Sequence, residues 1–115
     1  MSDGSILNST KKVLGIDADY DAFDLDVMMH INSAFATLNQ LGVGPEEGFM
    51  IEDDTATWGD FIGNDKRLNS VPTYVYLKVQ LVFDPPATSF VLEAKKKQIE
   101  EYEWRLNVVV EGDRA

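Results

Sequence analysis

In the first 42 residues, the order of apolar and polar positions predicts two helices. A short helix is predicted from a cap at Ser5 through Leu14, and Gly15 is suited to the left-handed conformation that ends helices. A longer helix is predicted from a second set of apolar residues: Leu25, Met28, Ile31, Phe35 and Leu38. Gly42 is expected to end it.

The middle of the chain mixes turn-forming residues with short apolar stretches. Residues 42–54 are expected to form a loop, and the apolar trio at 49–51 either fastens that loop to the core or forms one short strand. A short helix should follow, capped by Asp54 or Thr55. It would carry three large apolar side chains: Trp58, Phe61 and Ile62.

The pattern of residues 71–83 fits two structures equally well. Apolar side chains alternate from Val75 to Phe83, and the segment is rich in β-branched and aromatic residues, as in a strand. In contrast, Ser70 as a cap, Pro72 in a first turn and a stop at 84–86 are typical of a buried helix. The residues alone leave this choice open.

A C-terminal helix of about eighteen residues is predicted after a cap at Thr88 or Ser89. Its narrow apolar stripe consists of Leu92, Ile99, Tyr102 and Leu106. The valines at 108–110 depart from helical spacing, and the residues after them are expected to be a loose end. We therefore expect a single helical domain over residues 1–107 and a C-terminal tail over residues 108–115.

Size and charge exclude several classes of protein. At 115 residues the chain is expected to form one small domain. A formal charge of -10 argues against binding to phosphate backbones or anionic membranes. The absence of cysteine and of an N-terminal signal pattern predicts a protein made and used in a reducing interior. No apolar run approaches the roughly 20 residues of a membrane span, so a soluble protein is expected.

The acidic residues before the second helix imitate the start of a calcium-binding loop. Asp17, Asp19 and Asp21 alternate as such ligands do, but Ala22 and Met28 stand where the loop needs a glycine and a bidentate glutamate. Carboxylates near a helix N-terminus are stabilised by the helix dipole. We therefore interpret them as helix caps.

No catalytic, metal-binding or cofactor-binding residues are expected. His30 is the only histidine and lacks a nucleophile motif or a plausible set of zinc ligands. The acidic groups at 46–47, 52–54 and 100–103 are flanked by polar residues and are expected to be solvated. The lysines at 95–97 are expected to pair with glutamates 100, 101 and 103 along one helix rather than to bind nucleic acid.

Exposed aromatic and apolar residues remain as the features suited to protein contacts. Packing within the subunit and contact with a partner are equally plausible for this group: Trp58, Phe61, Tyr102 and Trp104. We place Trp104 at or beside a packing seam of the last helix, so that its replacement by alanine would cost about 3 to 5 kcal/mol if it is fully buried.

Four segments together resemble the head-tail connector (adaptor) proteins of long-tailed double-stranded DNA bacteriophages. They are residues 6–16, 58–63, 74–86 with Phe90, and 97–107. The resemblance implies an all-α bundle of about four to five helices with a long C-terminal helix, and it favours a helix at 72–83. It implies no catalytic residues.

The resemblance also implies a place in the virion. Such subunits form a ring of about twelve copies beneath the portal protein, next to a tail-side completion or stopper protein, at the head-tail junction. The genome would pass through the ring without specific binding, and the subunit would be made in the host bacterial cytoplasm. Val108, Val109 and Val110 are, by position, candidates for docking on the portal.

A second hypothesis follows from charge alone. An acidic phage protein could imitate DNA and inhibit a nucleic-acid-binding protein of the host. The acids of this chain cluster in loops and at helix starts rather than tracking a helix at phosphate-like spacing, which favours the connector.

Overall fold

The computed structural model describes residues 4–63 and 65–114, and these form an all-α bundle. Its helices are α1 (Ile6–Val13), α2 (Asp24–Gln40), α3 (Trp58–Ile62), α4 (Val71–Phe83) and α5 (Ser89–Arg114), with a short 3-10 turn at Lys66–Leu68. Within the described ranges there is no strand, and Ser5 and Thr57 form one isolated antiparallel bridge. The predicted fold class, a small helical bundle with a long C-terminal helix, is confirmed.

Helix α1 begins and ends as its sequence predicts. The Ser5 side chain accepts a hydrogen bond from the Asn8 backbone N–H at 3.2 Å. After the helix, Gly15 has a φ of +80° and the Ile16 N–H donates to the Lys11 carbonyl at 2.8 Å. This last bond satisfies a carbonyl that the helix end would otherwise leave unpaired.

Helix α2 is not capped by the carboxylates that precede it. Phe23 occupies the cap position and makes no side-chain capping bond, and residues 17–21 are exposed. Asp24 instead forms an ion pair with the fully buried Lys11, with Nζ and Oδ1 2.6 Å apart. Asp24 Oδ1 accepts no hydrogen bond of regular geometry, so the contact is mainly Coulombic. The Lys11 ammonium also donates to the Ala18 carbonyl at 3.1 Å, which fastens the connecting loop.

Helix α3 starts later than expected because Thr57 provides the cap. The Thr57 hydroxyl accepts from the Asp60 N–H, and the Asp60 carboxylate accepts from the Thr57 N–H. The residues favoured by the sequence are engaged elsewhere. The Asp54 carbonyl accepts from Ser5, while hydrogen bonds from the hydroxyl and the backbone N–H of Thr55 lower the pKa of the Asp53 carboxyl.

Helix α4 lies at the centre of the bundle and packs against α1, α2 and α5. Pro72 is in its first turn, as expected, although the Ser70 hydroxyl makes no capping bond. Tyr74, Val75 and Val79 are fully buried. A helix surrounded by neighbours tolerates apolar residues on nearly every side, which explains why its sequence also fits a strand.

Helix α5 continues beyond its predicted end. It runs for 26 residues to Arg114, so residues 108–114 are helical and do not form a loose end. The sequence prediction was wrong because Val109 and Val110 pack against the core, and tertiary contacts override the β preference of a valine run. Ala115 of the predicted tail lies outside the described residues.

The segment after α2 is a loop, held by the side chain of Asn32. The Asn32 amide accepts from the Ile51 N–H at 2.7 Å and donates to the Ile51 carbonyl at 3.0 Å. Ile51 is buried, and Phe49 is partly buried against the core. Of the two structures proposed for residues 49–51, the loop is therefore the one observed.

Candidate protein-contact surfaces

Two of the candidate aromatic residues lie inside the subunit. Trp58 and Phe61 are buried, and the Phe61 ring centroid lies 4.7 Å from that of Phe35 and 5.2 Å from that of Phe49. The Trp58 indole N–H donates to the Ser9 hydroxyl at 2.9 Å, which satisfies its one polar atom. Both residues therefore have a packing role within one chain.

The two aromatic residues of α5 differ from each other. Tyr102 is partly buried against the core, whereas Trp104 is 67% exposed. Trp104 is therefore not buried in a packing seam within one subunit, and of the two roles considered for it, contact with a partner stays a prediction. Two residues along a helix rotate a side chain by about 200°, so when Tyr102 and Leu106 face inward, Trp104 between them faces outward.

The three valines at 108–110 also divide into exposed and inward-facing residues. Val108 is exposed one turn after Trp104, while Val109 and Val110 border a crevice with Phe61 and Leu68. The inward pair stabilises the junction of α5 with the core. Val108 and Trp104 together present an apolar strip to the outside, which we call the α5 strip.

A buried hydroxyl joins α4 to α5. Tyr74 is fully buried, and its hydroxyl donates to Glu103 Oε2 at 2.7 Å. Lys78 Nζ lies 3.9 Å from the same oxygen. Burial, and then the hydrogen bond and charge of Glu103, raise the pKa of the Tyr74 hydroxyl far above its usual range.

The raised pKa of Tyr74 predicts that the folded protein loses stability in alkali. Because the folded-state pKa of Tyr74 is raised, its contribution is fully present below about pH 10 and is lost as the pH rises further, at up to about 1.4 kcal/mol per pH unit. Tyr74→Phe should cost about 1 kcal/mol at pH 8, and the gap between the two proteins should shrink above pH 10. Urea unfolding of both from pH 8 to 11 measures this. A constant gap would contradict the assignment.

The candidate reactive groups do not converge. Among residues 4–63 and 65–114, no group of three or more histidine, aspartate or glutamate side chains is placed to hold a metal ion. His30 is half-buried on α2, and Asp17, Asp19 and Asp21 are exposed. None of the described helices combines the length and the apolar character needed to cross a bilayer.

The expected pairing of lysines 95–97 with the following glutamates is not formed. Glu101 pairs with Arg105 at 2.5 Å, and Glu103 is engaged by Tyr74 and Lys78. Ile99 is the first buried residue of α5, so the lysines lie on the part of the helix that precedes its buried contacts with the core. In the described part of the chain, they make no ion pair.

Two more exposed apolar surfaces are present. On α2, Leu25 and Met29 are exposed beside the loop that carries Met50, and at the start of α5 Phe90 and Val91 are exposed. Contiguous exposed apolar surface on a small domain is typical of sites of protein contact. The fold and its surfaces thus define a small helical subunit suited to contacts with other proteins.

Comparison with known families identifies that subunit. The family model described as phage connector protein matches residues 6–113, and the chain belongs to this family. No curated protein and no solved structure gives a significant match. The resemblance to phage head-tail connectors is therefore confirmed, and it extends through the valine run. The chain is a structural component of a phage virion that contacts other virion components.

Proposed function

We propose that the protein forms a ring between the portal and a tail-side completion or stopper protein, at the head-tail junction. The observation that carries the proposal is the match to the connector family along nearly the whole chain. The separate exposed apolar surfaces support it, since a ring grows when one patch meets a different patch on the next copy. The subunit would be made in the host bacterial cytoplasm and act without catalysis.

The charge of the chain suits a channel that DNA passes through without being held. A ring of about a dozen copies would carry a formal charge near -120 before counterions are counted. An acidic wall disfavours phosphate contact and the cation release that makes DNA binding tight. The assembled ring should therefore not retard duplex DNA in a low-salt gel shift, and submicromolar retention would contradict an acidic channel.

Native mass spectrometry of the protein mixed with its portal tests the ring. The expected product is a complex with one portal oligomer and a fixed number of 12.9 kDa subunits, about twelve. Absence of any portal complex would contradict the proposal. Tight, salt-sensitive binding to a basic host protein, competed by DNA, would favour the DNA-mimic hypothesis instead.

The portal contact is assigned to the C-terminal part of α5. Val108, Val109 and Val110 are the sequence candidates, but the inward position of Val109 and Val110 makes Val108 the exposed member. We infer that the α5 strip, Trp104 with Val108, contacts the portal. Deleting the whole tail is a poor test, because it would also remove the core contacts of Val109 and Val110.

A single substitution tests the portal contact. Val108→Asp should weaken portal binding at least tenfold, because burying an unpaired carboxylate in the contact would cost more than the roughly 1.4 kcal/mol that corresponds to a tenfold change in affinity. The melting temperature should hardly change, since Val108 is exposed. Val13→Asp on α1 is the matched control, because Val13 is exposed to a similar degree. Equal portal affinity of the two variants would remove the α5 strip from the contact.

A further inference from the structure

An apolar groove with an acidic rim lies along the outer face of α2. Leu25 is 73% exposed and Met29 is 62% exposed, and they lie one turn apart on that face. Met28, Asn32 and Ile51 also line the groove, and Asp26 and Glu52 are its acidic members. No lysine or arginine is among the described residues that line it. We call this feature the α2 groove.

The α2 groove has one wall formed by the loop at Ile51 and one formed by α2, and the two walls differ in how far their side chains can adapt. The loop wall is fixed, because Asn32 holds both backbone groups of Ile51. The helix wall carries methionines, whose flexible thioether side chains adapt to an incoming surface. Met50, next to Ile51 in the chain, is 65% exposed and extends the apolar area. Such a groove suits an apolar side chain that is accompanied by positive charge.

The start of α5, residues 89–98, has the complementary character. Phe90 is 83% exposed, Leu92 and Lys95 are half-buried, and no side chain in this segment is fully buried, so about 15 Å of helix is largely exposed. Phe90 and Lys97 lie two turns apart on one face, and Val91 and Lys95 lie one turn apart on the adjoining face. The segment carries three lysines and one glutamate in a chain of net charge -10.

The orientation of this helix start is restricted before any contact forms. The segment is continuous with the rest of α5, which packs on the core through Ile99 and Leu106. A segment that is already ordered loses less conformational entropy on binding. The start of α5 is therefore a preformed projection.

We propose that the α2 groove of one subunit receives the start of α5 from a second copy of this chain. Leu25 and Phe90 both stay exposed within one chain, so the two surfaces do not satisfy each other there. Between copies, Phe90 would enter the apolar groove while Lys95 and Lys97 face Asp26 and Glu52. Opposed local charges also offset the general repulsion between acidic copies.

The proposed contact between copies is heterologous, which is the type of contact that generates rings. The groove and the helix start are different surfaces, so each copy has one of each and the contact repeats around a circle if the rotation closes. This inference rests on the proposed connector function and adds to it the residues of the copy-to-copy contact. It assigns the α5 strip and the start of α5 to different partners.

The chain lacks cysteine, so introduced cysteines report contacts between copies. A variant with Met50→Cys and Glu93→Cys leaves Leu25, Met29 and Phe90 in place and, treated with a short thiol-to-thiol crosslinker, should give a ladder of joined subunits. A mixture of the two single variants should give one dimer band and no ladder, because each then supplies one half of the contact. The matched control, Met50→Cys with Val13→Cys, should give at least tenfold less product.

A charge reversal tests the lysines separately. Lys95→Glu with Lys97→Glu, added to the double-cysteine variant, should reduce the ladder at least tenfold, and Asp26→Lys with Glu52→Lys should restore it. Equal crosslinking in the control pair, or no ladder at all, would overturn the groove contact. If wild-type protein still joins the portal in those cases, the connector function stands and this inference alone fails.

Discussion

Lys11→Ala should lower the free energy of unfolding by about 3 kcal/mol, because it removes one partner of a buried ion pair. Lys11 is fully buried and holds both Asp24 and the Ala18 carbonyl. Without it, the loop between α1 and α2 loses its attachment and Asp24 keeps an uncompensated charge. The surviving carboxylate is partly solvated, which keeps the cost at the lower end of the range for buried pairs.

Thermal unfolding measured by circular dichroism gives the readout. A loss of that size should lower the melting temperature by about 10 to 15 °C in a domain of this length. Lys12→Ala is the matched control, since it removes the same charge from an exposed neighbour and should change stability by no more than about 0.5 kcal/mol. Equal melting temperatures for the two variants would show that the Lys11 ion pair has no structural role.

Replacing each tryptophan by alanine should change the stability of the subunit by very different amounts. Trp58→Ala should cost about 3 to 5 kcal/mol, because a buried ring and its hydrogen bond to Ser9 are lost from the aromatic cluster. Trp104→Ala should leave the stability of the subunit within about 0.5 kcal/mol of wild type, because Trp104 is 67% exposed. Urea unfolding of both variants makes the comparison.

The second readout for the tryptophans is portal binding. If the α5 strip contacts the portal, Trp104→Ala should weaken portal binding even though the subunit stays as stable as wild type. A large stability loss in Trp104→Ala, or none in Trp58→Ala, would contradict the placement of the two rings.

Local signals in the sequence were sufficient to predict where α1 begins and ends and to place Pro72 in the first turn of a helix. The Ser5 cap, the Gly15 stop and Pro72 each act within one turn of the chain, so their effects are visible without a fold. The choice of helix for α4 needed the family resemblance, because burial on nearly every side removes the periodicity that separates helix from strand.

Features that depend on distant contacts were not visible in the sequence. Lys11 is in the last turn of a helix, where a basic residue ordinarily interacts with the helix dipole in solvent. Only the return of the loop at Ala18 buries it. Likewise, the inward turn of Val109 and Val110 depends on the position of Phe61 and Leu68, which lie 41 to 49 residues earlier.

The fold separates the candidate contact residues, and the sequence already indicated part of this division. Tyr102 and Leu106 belong to the apolar stripe of α5, so Trp104 lies off that stripe. The burial of Trp58 depends on contacts with distant residues such as Ser9 and Phe35. The lysines at 95–97 were expected to be paired because glutamates follow at helical spacing. Glu101 and Glu103 have nearer partners in Arg105 and Tyr74, and no described lysine pairs with Glu100, which leaves the start of α5 basic.

Electron microscopy of the purified protein bound to its portal tests the central claim most directly. If this chain functions by fitting against copies of itself and against neighbouring virion parts, images should show a closed ring coaxial with the portal and an open central channel. Portal particles with only isolated subunits attached, or with none, would contradict that claim.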